Sequence, residues 1–165
     1  ASRPKTGRRA VGPVGEAMVQ SRPFRSAAQE ALIALVLTTE RVGWPYTELM
    51  QRHGLTRQQY NVLRILRGAG KEGLPTLEIV DRMIERTPGI TRLLDRLEKK
   101  GLCERHRSAE DRRQVFCTLT RAGQELLARL DRPVDALDDE ALAGLTAAEQ
   151  RQLIRLLDKV RLGAR

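Results

Sequence analysis

The stretch that decides the fold reads Thr87-Pro-Gly-Ile-Thr-Arg-Leu-Leu-Asp-Arg-Leu-Glu-Lys-Lys-Gly-Leu102, followed within a few residues by Gln114-Val-Phe-Cys-Thr-Leu119. Thr87 is a capping residue directly before Pro88, whose missing N–H costs nothing at a first helical position. Ile90, Leu93, Leu94 and Leu97 recur at i, i+3, i+4 and i+7, and Gly101 closes the pattern, so a helix is predicted over Pro88–Lys100. The opposite face carries Thr91, Arg92, Asp95, Arg96 and Lys99. The period then changes. Val115, Cys117 and Leu119 alternate with Gln114, Phe116 and Thr118, and with Leu102–Arg107 they predict a two-stranded hairpin around the charged turn Ser108–Arg112. Its tip is basic, through Arg107, Arg112 and Arg113.

Upstream, Thr56-Arg-Gln-Gln59 forms a capping box ahead of Tyr60, Leu63 and Leu66, and the helix ends near Gly68. A loop, Ala69–Pro75, leads to Thr76 as the cap of a short helix carrying Ile79, Val80 and Met83. Three short helices and a hairpin over residues 55–119 are the order of a winged helix-turn-helix. The flanks are helical too. Ser26-Ala-Ala-Gln29 is a capping box before Ala31–Leu37, which is apolar all round, and Gly43-Trp44-Pro45 is expected to break that helix before a short one at Tyr46–His53. Thr120 caps a helix with Leu126, Leu127, Leu130, Val134 and Leu137, and Thr146-Ala-Ala-Glu149 opens a last one with Leu153, Ile154, Leu156, Leu157 and Val160. Residues 1–23 hold three Pro and three Gly without apolar periodicity and read as a disordered basic arm. The fold class is mainly α with a small β-hairpin wing, arranged as arm (1–23), helical region (24–54), winged helix (55–119) and C-terminal helices (120–165).

Composition narrows the partners. The 165 residues hold 30 Lys+Arg against 21 Asp+Glu, a formal charge of +9, with 41% hydrophobic and only 3% aromatic residues. Packed Leu, Ile, Val and Ala must make the core. The longest apolar run, Ala31–Leu37, is seven residues, where a membrane span needs about 20. Neither that run nor residues 1–20 supplies a signal peptide, and two cysteines suit a reducing cytoplasm, so a cytoplasmic location is expected. The charge is not spread evenly. Residues 1–25 carry a net +5 and residues 86–113 a net +4, while the remainder balances at 15 bases and 15 acids. A basic helix face followed at once by a basic hairpin tip points to double-stranded DNA. Thr87, Pro88, Gly89, Thr91 and Arg92 occupy the first turns of a recognition helix, which reach base edges, with Arg96 behind them. Arg107, Arg112 and Arg113 suit phosphates or a narrow minor groove.

On these residues the chain resembles the MarR family of bacterial transcriptional regulators. The resemblance runs through Gly54-Leu-Thr56, Gln59-Tyr60, Thr91–Leu102, Asp111-Arg-Arg113 and Leu119-Thr-Arg-Ala-Gly123. It implies a homodimer with one winged helix per subunit, built from Ser26–Leu37 and the helices at 120–138 and 146–162. It also implies Arg113 in the minor groove, Asp111 pairing a neighbouring arginine, and Thr87, Thr91 and Arg92 in the major groove. The apolar faces agree, since they exceed what a 65-residue winged helix covers. Family members often release DNA on binding a small aromatic or lipophilic anion, and Arg41, Trp44, Tyr46 and His53 are the candidate lining here. A Trp-Pro-Tyr turn packed under a helix bend is the plainer alternative. Asn61 stands where urate-sensing members carry an acid, so urate is not assigned.

Cys103 and Cys117 lie on opposite hairpin strands. They face each other if pairing positions sum to 220, and a one-residue slip puts them on opposite faces. Buried thiols are favoured over a redox pair. With His106 they make three ligands without paired spacing, so no structural metal or cofactor is expected. No Gly-rich phosphate loop or nucleophile motif is present and an enzyme is rejected. The alternative function is a sequence-indifferent architectural DNA-binding protein.

Overall fold

The computed structural model describes residues 13–19, 22–84, 89–107 and 114–163. The elements in order are α1 (Pro13–Ala17), α2 (Ala27–Arg52), α3 (Arg57–Ala69), β1 (Leu74–Pro75), α4 (Thr76–Arg82), α5 (Ile90–Lys99), β2 (Cys103–Arg107), β3 (Val115–Leu119), α6 (Arg121–Leu142) and α7 (Ala147–Gly163). The chain divides into two compact units, Ala1–Trp44 and Pro45–Arg165.

In the first unit, Pro13–Ala17 is a short helix inside the segment expected to be a disordered arm. The Ser26 cap forms, its Oγ accepting from the Gln29 amide at 3.2 Å. Gln29 reaches back to the amide of Arg25 rather than that of Ser26, so the box is shifted by one residue. The expected break at Gly43-Trp44-Pro45 is absent. Pro45 lies inside α2, which runs unbroken from Ala27 to Arg52. A proline removes one hydrogen bond from a helix interior, a loss that a helix of 26 residues tolerates when its neighbours hold.

The second unit holds the winged helix around a Leu-rich core. Met50, Leu63, Leu66, Ile79, Leu94, Leu97, Leu127 and Leu130 are all fully buried in one cluster. Each such side chain contributes about 1.5–3 kcal/mol by leaving water. The Thr56 capping box forms as read, with Gln59 N–H to Thr56 Oγ1 and Thr56 N–H to Gln59 Oε1 both at 3.1 Å. The box at Thr146 and Glu149 also closes. Thr120 caps α6 through Gly123 N–H at 3.1 Å.

The sheet has three strands, ordered β1-β3-β2, where the sequence reading expects two. Leu74 and Pro75, assigned to a loop, pair with Cys117 and Phe116. Proline fits there because an edge strand does not need its N–H on the outer side. Thr76 is therefore not the cap of α4. Pro75 takes that place, and Thr76 Oγ1 donates instead to the Val115 carbonyl at 3.4 Å. Gly73 precedes the strand at φ +70°, where an added Cβ would lie 2.3 Å from the Cys117 carbonyl oxygen. Gly123 is equally constrained. A Cβ there would sit 2.3 Å from the Leu102 carbonyl oxygen, because the first turn of α6 rests on the end of the wing.

The hairpin register pairs Cys103 with Leu119 and Arg105 with Cys117. Paired positions thus sum to 222, two residues from the facing arrangement considered above, so both cysteines keep to the inner face as diagonal neighbours. Such neighbours stand about 7–8 Å apart, beyond the reach of a disulfide without backbone movement.

Candidate nucleic-acid interface

Helix α5 separates its sequence cleanly by face. Leu93, Leu94 and Leu97 are buried, while Thr91, Arg92, Arg96 and Lys99 are exposed. Gly89 precedes the helix in the left-handed region at φ 91°, and its carbonyl accepts from Leu93 N–H at 3.3 Å. Of the other residues read as DNA-binding, Arg107 is exposed at the end of β2. Thr87, Pro88, Asp111, Arg112 and Arg113 lie outside the described residues.

One functional group of residues escaped the sequence reading. By helical spacing Asp95 belongs to the outward face of the helix, and Glu98 and Arg105 enter the sequence only as charges. The structure joins all three. The Arg105 guanidinium donates to Asp95 Oδ1 at 2.6 Å and to Glu98 Oε2 at 2.5 and 3.1 Å, and the Arg105 amide donates to Glu98 Oε1 at 3.2 Å. The hydrogen bond from Arg105 holds the Glu98 carboxyl below the usual carboxylate range. Hydrogen bonding to Glu98 in turn raises the guanidinium pKa further. Charge-assisted bonds of this kind are among the stronger polar contacts. They fasten the wing's first strand to the recognition helix and remove one arginine from the cationic surface. The available signal was spacing: Asp95 and Glu98 stand at i and i+3, one turn apart on the helix, with the first wing strand next in sequence.

The remaining candidates are placed as follows. Arg41 is exposed and Trp44 is 65% exposed on α2, so the Trp-Pro-Tyr turn packed under a bend does not form. Tyr46 is half-buried, and its hydroxyl donates to Asp138 of α6. Burial, first, and the Asp138 carboxylate push its pKa up. His53 is exposed in the turn after α2, its amide bonded to the Met50 carbonyl at 3.1 Å. On the wing, His106 faces outward and stacks on Phe116 with ring centroids 6.0 Å apart, whereas Cys103 and Cys117 point into the core. The three do not converge on one point.

The family model described as transcriptional regulator SarA/Rot matches residues 46–130. The crystal structure of a MarR transcription factor from Planctomyces limnophilus is 43% identical, with a TM-score of 0.64 over 82% of this chain and 98% of that one. The chain belongs to the MarR family of winged-helix transcriptional regulators. The MarR-family assignment extends to relatives with named roles. The homoprotocatechuate degradative operon repressor of Escherichia coli is 30% identical over 127 residues, 77% of this chain and 84% of the repressor. A mutant of Escherichia coli MarR complexed with operator DNA is 28% identical, with a TM-score of 0.69 over 77% of this chain and 90% of that chain. These relatives and the fold are those of transcriptional regulators rather than enzymes. Among the described residues no helix is long and apolar enough to cross a membrane.

Proposed function

We propose that this MarR-family regulator is a homodimeric, sequence-specific repressor that binds a pseudo-palindromic operator and releases it on binding a small aromatic or lipophilic anion. The observation that carries the DNA reading is the cationic face of α5, which makes no ion pair among the described residues. Arg92 and Arg96 stand exposed beside Thr91 while every acidic residue of that helix is turned to Arg105. In a dimer the two helices would enter successive major grooves about 10–10.5 bp apart, with Arg107 and Arg113 of each wing alongside. The dimer is supported by apolar side chains left in water on two elements. On α2, Leu32 and Val36 are exposed, and on α7 so are Ile154, Leu156 and Val160. The release step draws on the family resemblance and on Arg41, Trp44, Tyr46 and His53 as its candidate contacts.

Selection of bound sequences from a random pool, followed by competition at fixed salt, tests the reading. A preference for the selected operator of about 10³ or more is expected, and a smaller ratio would favour the architectural alternative. Arg92→Ala should weaken operator binding by about 1–3 kcal/mol and relax the preference at one base position. Wild-type affinity in that variant would overturn the docking.

A further inference from the structure

A cavity opens where the end of α2, the start of α3 and the end of α5 meet, and its wall is unusual in charge. Arg96, Lys99 and Lys100 line it together with Gln59 and Leu55, and among the described residues no acidic one does. The acids of α5 lie elsewhere, because Asp95 and Glu98 are both committed to Arg105. Lys100 is anchored, its Nζ donating to the Gly54 carbonyl and, at 3.4 Å, to Gln59 Oε1. Arg96 and Lys99 make no ion pair among the described residues.

Gln59 supplies the second observation. It is only 4% exposed, and its Oε1 is engaged by both the Thr56 amide and Lys100. Its Nε2, a two-proton donor, has no partner among the described residues. A buried donor left unmet is costly, and such groups are regularly satisfied by something held at the site. The positive end of the 13-residue helix α3 opens on the same space. Two free cations, a buried amide and the start of a helix thus line one cavity, and among the described residues no carboxylate joins them.

We propose that this cavity is an oxyanion site whose occupant is a phosphate group, held by Arg96, Lys99 and the Gln59 amide. Two sources carry that chemistry, a backbone phosphate of bound DNA and a free phosphate. The first rests on the DNA-binding reading above and the second does not.

The test uses the full chain and inorganic phosphate, titrated against chloride at constant ionic strength. The wild type should show a saturable rise in Tm, about 4 °C when phosphate reaches roughly 20 times its Kd. Lys99→Gln, an exposed change, should lose most of that rise. Gln59→Glu keeps the acceptor bonds to the Thr56 amide and Lys100 but replaces the donor with a charge, and should abolish it. Salt titrations of operator binding then separate the sources. If DNA fills the cavity, phosphate competes with operator and Lys99→Gln lowers the slope of log K against log salt by about 0.9. If a free anion fills it, phosphate shifts the Tm of the protein and of its DNA complex alike, and the slope is unchanged. Equal Tm in phosphate and chloride for the wild type, or a wild-type response in both variants, would overturn the site. Phosphate binding that persists in a protein with no operator preference would sink the repressor reading and leave the site standing.

Discussion

Helices α5 and α7 both carry aliphatic residues at helical spacing and meet different fates. In α5 Leu93, Leu94 and Leu97 are buried by the chain itself, whereas none of the residues of α7 is buried. Leu94 is 0% exposed and Ile154 is 59% exposed, although both sit at helical spacing among other aliphatic residues. Periodicity announces that a face will leave water, since a stripe of this size is unfavourable when solvated. It does not say whether the covering surface belongs to the same chain. The first helix is covered by its own chain, and the aliphatic residues of the second stay exposed.

Four measurements test the difference between the two helices. The largest effect belongs to Leu94→Ala. It should cost about 2–5 kcal/mol in a denaturant titration, independent of protein concentration, because it opens a cavity in a closed core. Ile154→Asp should act on assembly instead. It should raise the dimer dissociation constant at least about 30-fold in sedimentation equilibrium, while the far-UV spectrum of the winged helix persists. Loss of folding in the monomer would erase the distinction between the two helices.

The other face of α5 provides the third. Arg105→Gln should cost about 1–2 kcal/mol, since the guanidinium is three-quarters buried between two carboxylates that are themselves partly solvated. Its pH dependence has a definite sign. The Glu98 carboxyl is held below its ordinary value of 4.5 in the folded protein. The stabilisation is therefore present above that value and lost as pH falls through the lower folded value. Wild type should lose stability on acidification over that window more steeply than Arg105→Gln, as followed by urea midpoints between neutral pH and about 3.

The smallest effect is expected at the cysteines. Burial pushes the Cys103 thiol up to about 12 and raises that of Cys117 as well. Thiolate is the reactive form. Alkylation at neutral pH should thus require unfolding, and mild oxidant should leave operator affinity unchanged in wild type and in Cys117→Ser alike. Rapid labelling of the native protein would show that the core beneath the wing opens as readily as the surface of α7.

Much of this molecule was legible in its residues. The capping boxes at Thr56 and Thr146 closed as read because a side chain and an amide three residues apart need only local geometry. The Leu stripe of α5 and the hairpin after Gly101 were legible for the same reason, each being a short-range pattern. What escaped was set by contacts distant in sequence. Leu74-Pro75 became a strand only because β3 offers it an edge. Thr76 gave up its expected capping role for the carbonyl of Val115, 39 residues away. The hairpin register differs by two from the facing alternative, a change that keeps both cysteines on the same face and so leaves no trace in the alternation of the residues. Pro45 did not break α2, although proline is the strongest local signal for a helix end.

Local residue patterns set most of the helical segments, the apolar face of each, and the concentration of the cationic excess of the folded part on one helix and its hairpin. Those properties depend on residues within about one or two turns of one another. Only the tertiary structure decided which charges remain free. Arg105 is spent on two acids of helix α5, while Arg96 and Lys99 make no ion pair among the described residues and line a cavity with the buried Gln59 amide. A charge count cannot distinguish these arginines, because pairing is fixed by where a strand and a helix meet in space.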